Sequence, residues 1–389
     1  MHKRGSVNAA AHNHQSGKPS GEPARREPPQ VIGSLRNMPA HRWSLPALQG
    51  ARGAGFGNEV IAWGKAFIGA QELGCTAVHP AWSLNPRGYR RDFGTSRLDW
   101  PLQQALRLLP TVTVTTEMAA KHVDYADAMT ELKKRPQGWM VVKHDSGMSG
   151  GYMGIWRART YLRAQLEQPK HVARDMYEIE RALSADVLRV AMHVRVGDFD
   201  RDRHGPQPGQ FNVAVPPDWY ASVAATLREA LGPRIQFTVL TDDPASPDVR
   251  SLISALGAVV LPGRAKPFIS DLLTMISSDL LVCSVSSLSM FAAFASDRPY
   301  LWFEPHLNER GGWLSIWGHE ASQGGKVTRS NEAVAKQSEA LLCRGSAANP
   351  SGALPSTLLE HLERLSWAKA RQYDLIAYGV IPTTAERKT

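Results

Sequence analysis

The sequence predicts an α/β protein built of two Rossmann-like units, and three observations carry that reading. Between residues 188 and 303, short apolar runs alternate with segments of helical period, the pattern of a doubly wound parallel sheet. Residues 41–170 show a looser alternation of the same kind. Polar residues gather at the ends of three later runs, at Arg195, at Thr241-Asp242-Asp243-Pro244 and at Ser284-Val285-Ser286-Ser287. The carboxyl ends of parallel strands share one edge of a sheet, so these residues, far apart in sequence, are expected to line one crevice.

In the first unit Trp43–Leu48 is weakly strand-like and leads into Gly53-Ala54-Gly55-Phe56-Gly57-Asn58-Glu59. A helical pattern follows through Val60, Ile61, Phe67, Ile68 and Leu73, with Gly74 as its stop. Glycines ahead of a helix let backbone N–H groups approach an anion or sugar closely, and a tight strand-to-helix turn has the same signature. The spacing is not that of a dinucleotide fingerprint. Strands are expected over 75–79, 111–115 and 139–143, and a helix over 125–134. The loop Ser146–Tyr152 precedes a helix carrying Ile155, Ala158, Tyr161 and Leu162, and reads equally as a cleft lining or a plain connection.

An amphipathic bridge over 169–187 opens the second unit. Strand 188–194 is followed by Asp218 as an N-cap and a helix presenting Trp219, Val223, Leu227 and Leu231 on one face. Then come strand 235–240, a helix near 247–256, strand 258–261, a helix from Ser270, strand 280–283, a helix over 287–296 and strand 299–303. After Trp317 the pattern loosens, although 355–369 is again helical, with Leu358, Leu359, Leu362 and Leu365.

Composition narrows the function classes. No run of about 18 apolar residues is present, so a membrane-spanning helix is not expected. The first 35 residues are rich in Pro, Gly, Asn, His and Arg and lack an apolar secretory core, which reads as a disordered basic tail over 1–40. The formal net charge is +9, but residues 1–45 hold seven basic side chains against two acidic ones, so more than half of it belongs to the tail. With no aromatic-and-basic module, a nucleic-acid partner is not expected. Cys75, Cys283 and Cys343 are odd in number and widely spaced, giving neither a disulfide framework nor a zinc site and fitting a reducing cytoplasm.

Of the polar residues, Arg195 is the hardest to read as structural, because a guanidinium after an apolar strand needs a partner, and its planar fork suits a phosphate. Asp242 and Asp243 have three readings: ligand contacts, a helix cap or Asx-turn with Pro244, and a metal-binding acid pair. His193 alone is more often a satisfied structural histidine, and Asp271 is also placed to begin a helix.

Taken in order, these stretches resemble motifs of the fucosyltransferase superfamily, which includes the α1,2-, α1,6- and protein O-fucosyltransferases. The H-x-R-x-G/T-D motif is matched by His193, Arg195, Gly197 and Asp198, and the strand ending in T/S-D-D-P by Thr241–Pro244. The third motif is similar to Asp271, the runs 272–276 and 280–283, then Ser286 and Ser287; the G-x-G-N loop is similar to Gly55–Asn58. The resemblance implies a GT-B-like glycosyltransferase, with an acceptor-side Rossmann-like domain over 41–170 and a GDP-sugar-binding one over 171–320, facing a central cleft. C-terminal helices over 321–389 would pack back across both.

The implied reaction is inverting, metal-independent transfer of fucose from GDP-fucose to a hydroxyl of a glycan or small-molecule acceptor. Arg195, Ser286 and Ser287 would hold the diphosphate, with Asp271 on guanine or ribose. His193, Gly197, Asp242 and Asp243 would shape the nucleotide pocket, and Asn58 would face the sugar or acceptor. Candidate bases are Asp198, Glu59, Asp200 and His204, of which Asp198 is preferred. The sequence departs from the family where many members have a second consecutive arginine, because Val196 stands there. Alternatives are a transferase of another GDP-sugar and a catalytically silent nucleotide- or glycan-binding protein.

Overall fold

Two all-parallel sheets with helices packed around them carry the described residues of the computed structural model: 42–47, 54–122, 124–134, 138–146, 148, 150–197, 214–310, 317 and 343–377. The first half runs β1 (Trp43–Leu45), α1 (Phe56–Leu73), β2 (Thr76–Ala77), α2 (Tyr89–Phe93), α3 (Asp99–Leu106), β3 (Thr111–Thr113), α4 (Thr116–Ala120), α5 (Tyr125–Lys133) and β4 (Val141–Lys143). Its sheet has the order β2-β1-β4-β3. Helices α6 (Gly151–Gly154), α7 (Arg159–Glu167) and α8 (Lys170–Ala182) lead to the second half.

There the chain runs β5 (Leu188–Val194), α9 (Pro217–Leu231), β6 (Ile235–Thr241), α10 (Pro247–Leu256), α11 (Pro267–Ser277), β7 (Leu280–Val282) and α12 (Ser287–Ala295). It ends with β8 (Tyr300–Phe303), α13 (Glu304–Arg310), β9 (Gly345–Ala348) and α14 (Ser356–Ala377). The order β6-β5-β7-β8-β9 is the doubly wound order 2-1-3-4-5 counted within this half. Two such parallel α/β halves make the fold GT-B-like. A strand order that reverses direction at β5 leaves a crevice between the carboxyl ends of β5 and β7, and ligands of open α/β sheets bind in such crevices.

Each element has a local cause. Strand β5 is buried at six of its seven positions, as a central parallel strand covered on both faces must be. Its Leu188, Val190, Met192 and Val194 belong to a core with α9, α10 and α14, whereas Ala191 joins the core shared with the first half. Helix α1 is buried on nearly every side and ends at Gly74, whose φ of 62° is left-handed. Three of its glycines mark close approaches: a Cβ at Gly57 would enter Ser287, one at Gly69 would enter His144, and one at Gly64 would sit 2.9 Å from Ile155.

Helix α1 packs directly on α12, and Phe56 joins Trp82, Tyr89 and Phe93 of the first half to Phe268 and Phe291 of the second in one aromatic cluster. The residues from Pro39 onward form one compact unit.

Several expectations are corrected. Asp218 does not cap α9; it lies in the first turn behind Pro217 at the helix start, where proline's fixed φ and an acid's charge are both favourable. Segment 258–261 contributes one bridge, Val259 to Thr238, because Gly257 and Pro262 leave too little chain for a ladder. The fifth strand is instead β9, whose Gly-Ser-Ala-Ala has no β-branched signal and is paired along its length with β8. Helix α11 begins at Pro267, so Asp271 lies in its second turn and does not start it. Helix α14 packs on α9 and β5, and its Lys369 bonds Asp279. The basic tail and residues 321–342 lie outside the described residues.

Candidate functional site

The crevice above β5 and β7 is built around Arg195. Its guanidinium Nε stands 3.2 Å from Oδ2 of Asp242, at the end of β6, and the two side chains are 18% and 20% exposed. The same carboxylate accepts the backbone N–H groups of Val196 and Gly197, each at 3.0 Å. Asp242 therefore clamps the turn after β5 and orients Arg195 in one arrangement. Gly197 is required by space, since a Cβ there would run into Oδ2 of Asp242. Val196 is 5% exposed and belongs to the core of the second half, so the place of a second arginine is a packing position.

Asp243 forms a local Asx-turn: its Oδ1 accepts from the N–H of Ala245 at 3.2 Å. Asp243 thus has the Asx-turn role, while Asp242 faces Arg195.

His193, 3% exposed, fastens the ends of β5 and β7 together. Its Nδ1 is 2.6 Å from the hydroxyl of Ser289 and 3.0 Å from that of Ser284. Its carbonyl accepts from the Tyr220 hydroxyl at 3.0 Å. Burial, reinforced by the Arg195 charge and opposed by Asp242, pushes its pKa down to about 4, so the ring is neutral at pH 7. Ser284, Ser289 and Tyr220 escape the sequence reading as a network, because nothing in linear spacing ties them to His193.

Ser286 is the N-cap of α12, and its hydroxyl oxygen accepts from the N–H of Ser289 at 3.3 Å. Ser287 is the first helical residue, pressed against Gly57 of α1. The Tyr152 hydroxyl is 2.6 Å from the carbonyl of Gly57 and 2.8 Å from that of Ser287, locking the glycine loop of one half to the helix start of the other. Asn58, half-buried, follows Gly57 at this junction, and its N–H donates to the Gly55 carbonyl.

Tyr89 is a second feature without a sequence signal. Its oxygen accepts from the Phe56 N–H at 2.8 Å, and burial raises its pKa to about 12, although Arg87 and Arg195 act electrostatically in the opposite direction. Tyr89 thus brings the first half into the electrostatic reach of Arg195. Glu59 is enclosed at 1% exposure and accepts from Asn85 Nδ2 at 3.4 Å, the geometry of a structural carboxylate. The base candidates Asp198, Asp200 and His204 lie outside the described residues.

Asp271 is held by Arg264, with Nη2 and Oδ1 2.6 Å apart. Burial raises its pKa to about 6 despite this partner, and Asp175 adds to the rise. Its helix, α11, also reaches the first half of the chain. Phe268 from the same helix touches the Tyr89 ring, 5.1 Å between centroids, and so connects the two.

The structure therefore gathers His193, Arg195, Gly197, Asp242, Ser286 and Ser287 at one sheet edge, with Gly57 and Asn58 abutting from the other half. A guanidinium and the start of a helix at the carboxyl edge of a parallel sheet are groups of the kind that receive anions.

No protein-family model matches the chain. No curated protein matches it either. Among solved structures the chain is similar to that of the wall teichoic acid polymerase TagF, at 10% identity and a TM-score of 0.26, covering 55% of this chain and 51% of the other. The match thus spans about half the length of that neighbour, and a likeness this distant transfers no activity.

Proposed function

We propose that this chain is an inverting, metal-independent glycosyltransferase that moves fucose from GDP-fucose to a hydroxyl of a glycan or small-molecule acceptor. The observation that supports it most is Arg195, paired with Asp242 at the switch point of a doubly wound sheet whose neighbouring strand β7 leads into α12. As the bond from C1 of the sugar to the diphosphate oxygen breaks, negative charge grows on the leaving group. The Arg195 guanidinium and the amide dipoles of α12 would stabilise that charge, which is the part usually given to a cation. The acceptor oxygen attacks C1 from the opposite face while Asp198, placed on its sequence position, takes the hydroxyl proton.

The test is the shift in melting temperature with GDP, UDP, ADP and GDP-fucose, with and without magnesium, for wild type and Arg195→Ala. A ligand that binds only the folded state at 100 times its Kd stabilises by about 2.7 kcal/mol, which a thermal shift detects readily. The reading expects a metal-independent shift with GDP and GDP-fucose that Arg195→Ala removes, and release of GDP in the presence of acceptor. A shift with UDP alone would overturn the donor assignment. A GDP shift without turnover on any offered acceptor would favour a silent nucleotide-binding protein.

A further inference from the structure

Helix α3 turns its polar face inward and its apolar face to solvent. The Asp99 carboxylate accepts from the Ser83 N–H at 3.2 Å, from the Ser83 hydroxyl, and from Thr95 Oγ1 at 3.4 Å. Gln103, 3% exposed, donates from Nε2 to the His79 carbonyl at 2.8 Å. These bonds fix the rotation of the helix. Leu98, Leu102 and Leu108 are left 62%, 61% and 87% exposed, with Pro101 and Ala105 exposed between them. Within the helix Pro101, Leu102 and Ala105 share one face at three- and four-residue spacing, Leu98 is the residue that precedes its first turn, and Leu108 lies just beyond its end. Trp100 and Leu84, each 40% exposed, stand beside it.

A core-facing helix has the opposite arrangement, and scattered exposed leucines would not share a stripe. The surrounding charge selects what covers this one. The stretch leading into the helix exposes Arg87, Arg91 and Arg97, while Asp92 is buried and Asp99, the first helical residue, is turned into hydrogen bonds. A second copy seated on the same stripe would set these arginines against one another. Exposed leucines and a tryptophan, preceded in the chain by exposed arginines with Arg97 next to Leu98, complement an anionic bilayer, whose headgroups take guanidinium groups while the acyl boundary takes apolar side chains.

We propose that α3 and its flanks are a monotopic docking surface for an anionic phospholipid membrane. The inference stands apart from the assignment of the crevice.

The experiment is co-sedimentation of the full chain with phosphatidylcholine vesicles, with and without phosphatidylglycerol. It compares wild type, the triple variant Leu98→Ser/Leu102→Ser/Leu108→Ser, and Arg91→Gln/Arg97→Gln. The N-terminal stretch is itself basic, so charge alone could draw the chain to anionic vesicles. The triple variant keeps every charge and isolates the stripe. Wild type should sediment with the phosphatidylglycerol vesicles and not with phosphatidylcholine alone. The triple variant should partition at least about a thousandfold more weakly, from the transfer of three leucines, with an unchanged melting temperature because the side chains are exposed. The arginine variant should bind more weakly and lose its salt dependence in part. Equal binding of wild type and the triple variant would assign the attraction to the tail and overturn the proposal. So would failure of wild type to sediment, or a concentration-dependent dimer that the triple variant abolishes.

Discussion

Gly197 shows how one missing Cβ shapes the crevice. Asp242 reaches the Val196 and Gly197 amides and Arg195 only because nothing stands between them. Gly197→Ala is expected to push that carboxylate away, costing about 1–3 kcal/mol, the usual range for inserting a methyl group into filled space. A urea denaturation midpoint measures the loss, and a weakened thermal shift with GDP would accompany it. Unchanged values for both would show that the turn relaxes freely. The residue types at this edge were legible in the sequence, since Arg195, Gly197 and Asp242 each close a strand of obvious pattern. The clamp between them was not, because hydrogen bonds joining the ends of β5 and β6 follow from pairing and leave no trace in linear spacing.

At the scale of elements, α1 and the end of β4 are joined by a buried ion pair. Lys65 Nζ lies 3.0 Å from both Asp145 oxygens, at 0% and 1% side-chain exposure. Beside it His144 bridges Ser44 and Tyr125, at 2.7 and 2.8 Å. Burial lowers the Lys65 pKa while Asp145 opposes the fall, the balance expected of a desolvated pair. Lys65→Met leaves an uncompensated carboxylate and should cost about 3–5 kcal/mol, whereas Lys65→Met/Asp145→Leu should recover most of it. A double-mutant cycle from denaturant unfolding checks this; equal losses in single and double variants would show that local packing, not the charge, is responsible. Helix α1 itself was legible from its period and its Gly74 stop. Its burial on nearly all sides was not, because its glycines serve close packing against Ser287 of α12, His144 after β4 and Ile155 after α6, and such partners are known only once the chain has folded.

For the whole molecule, two deeply buried histidines contribute to the response to acid. His144 is pushed down to about 3, by burial and then Lys65, and His193 to about 4. Unfolded, each takes up a proton near pH 6.5, so the unfolded state binds more protons below that value and stability falls as pH drops from 6.5 towards 4. Asp271, raised to about 6, acts in the other direction: its penalty is full above pH 6 and is relieved as it protonates in the folded state. Two histidines against one carboxyl leave a net loss of about 1.4 kcal/mol per pH unit between pH 6 and 4 from these groups. In His144→Asn that slope should fall by about the same amount. Urea midpoints across the range measure it, and an unaltered slope would place the proton uptake elsewhere.

The sequence by itself determined the α/β class, the positions of β5, β6, α10 and α12, and the polar character of the strand ends, because these depend on local period and on residues adjacent in the chain. Only the tertiary structure decided that Gly-Ser-Ala-Ala forms the last strand, that 258–261 does not complete one, that His193 is held neutral between two serines, and that α3 faces solvent with its leucines. Each of those outcomes is set by a partner distant in sequence. A strand without propensity forms where a neighbouring edge offers its hydrogen bonds, and a helix turns its apolar face outward when buried acceptors hold its polar side in place.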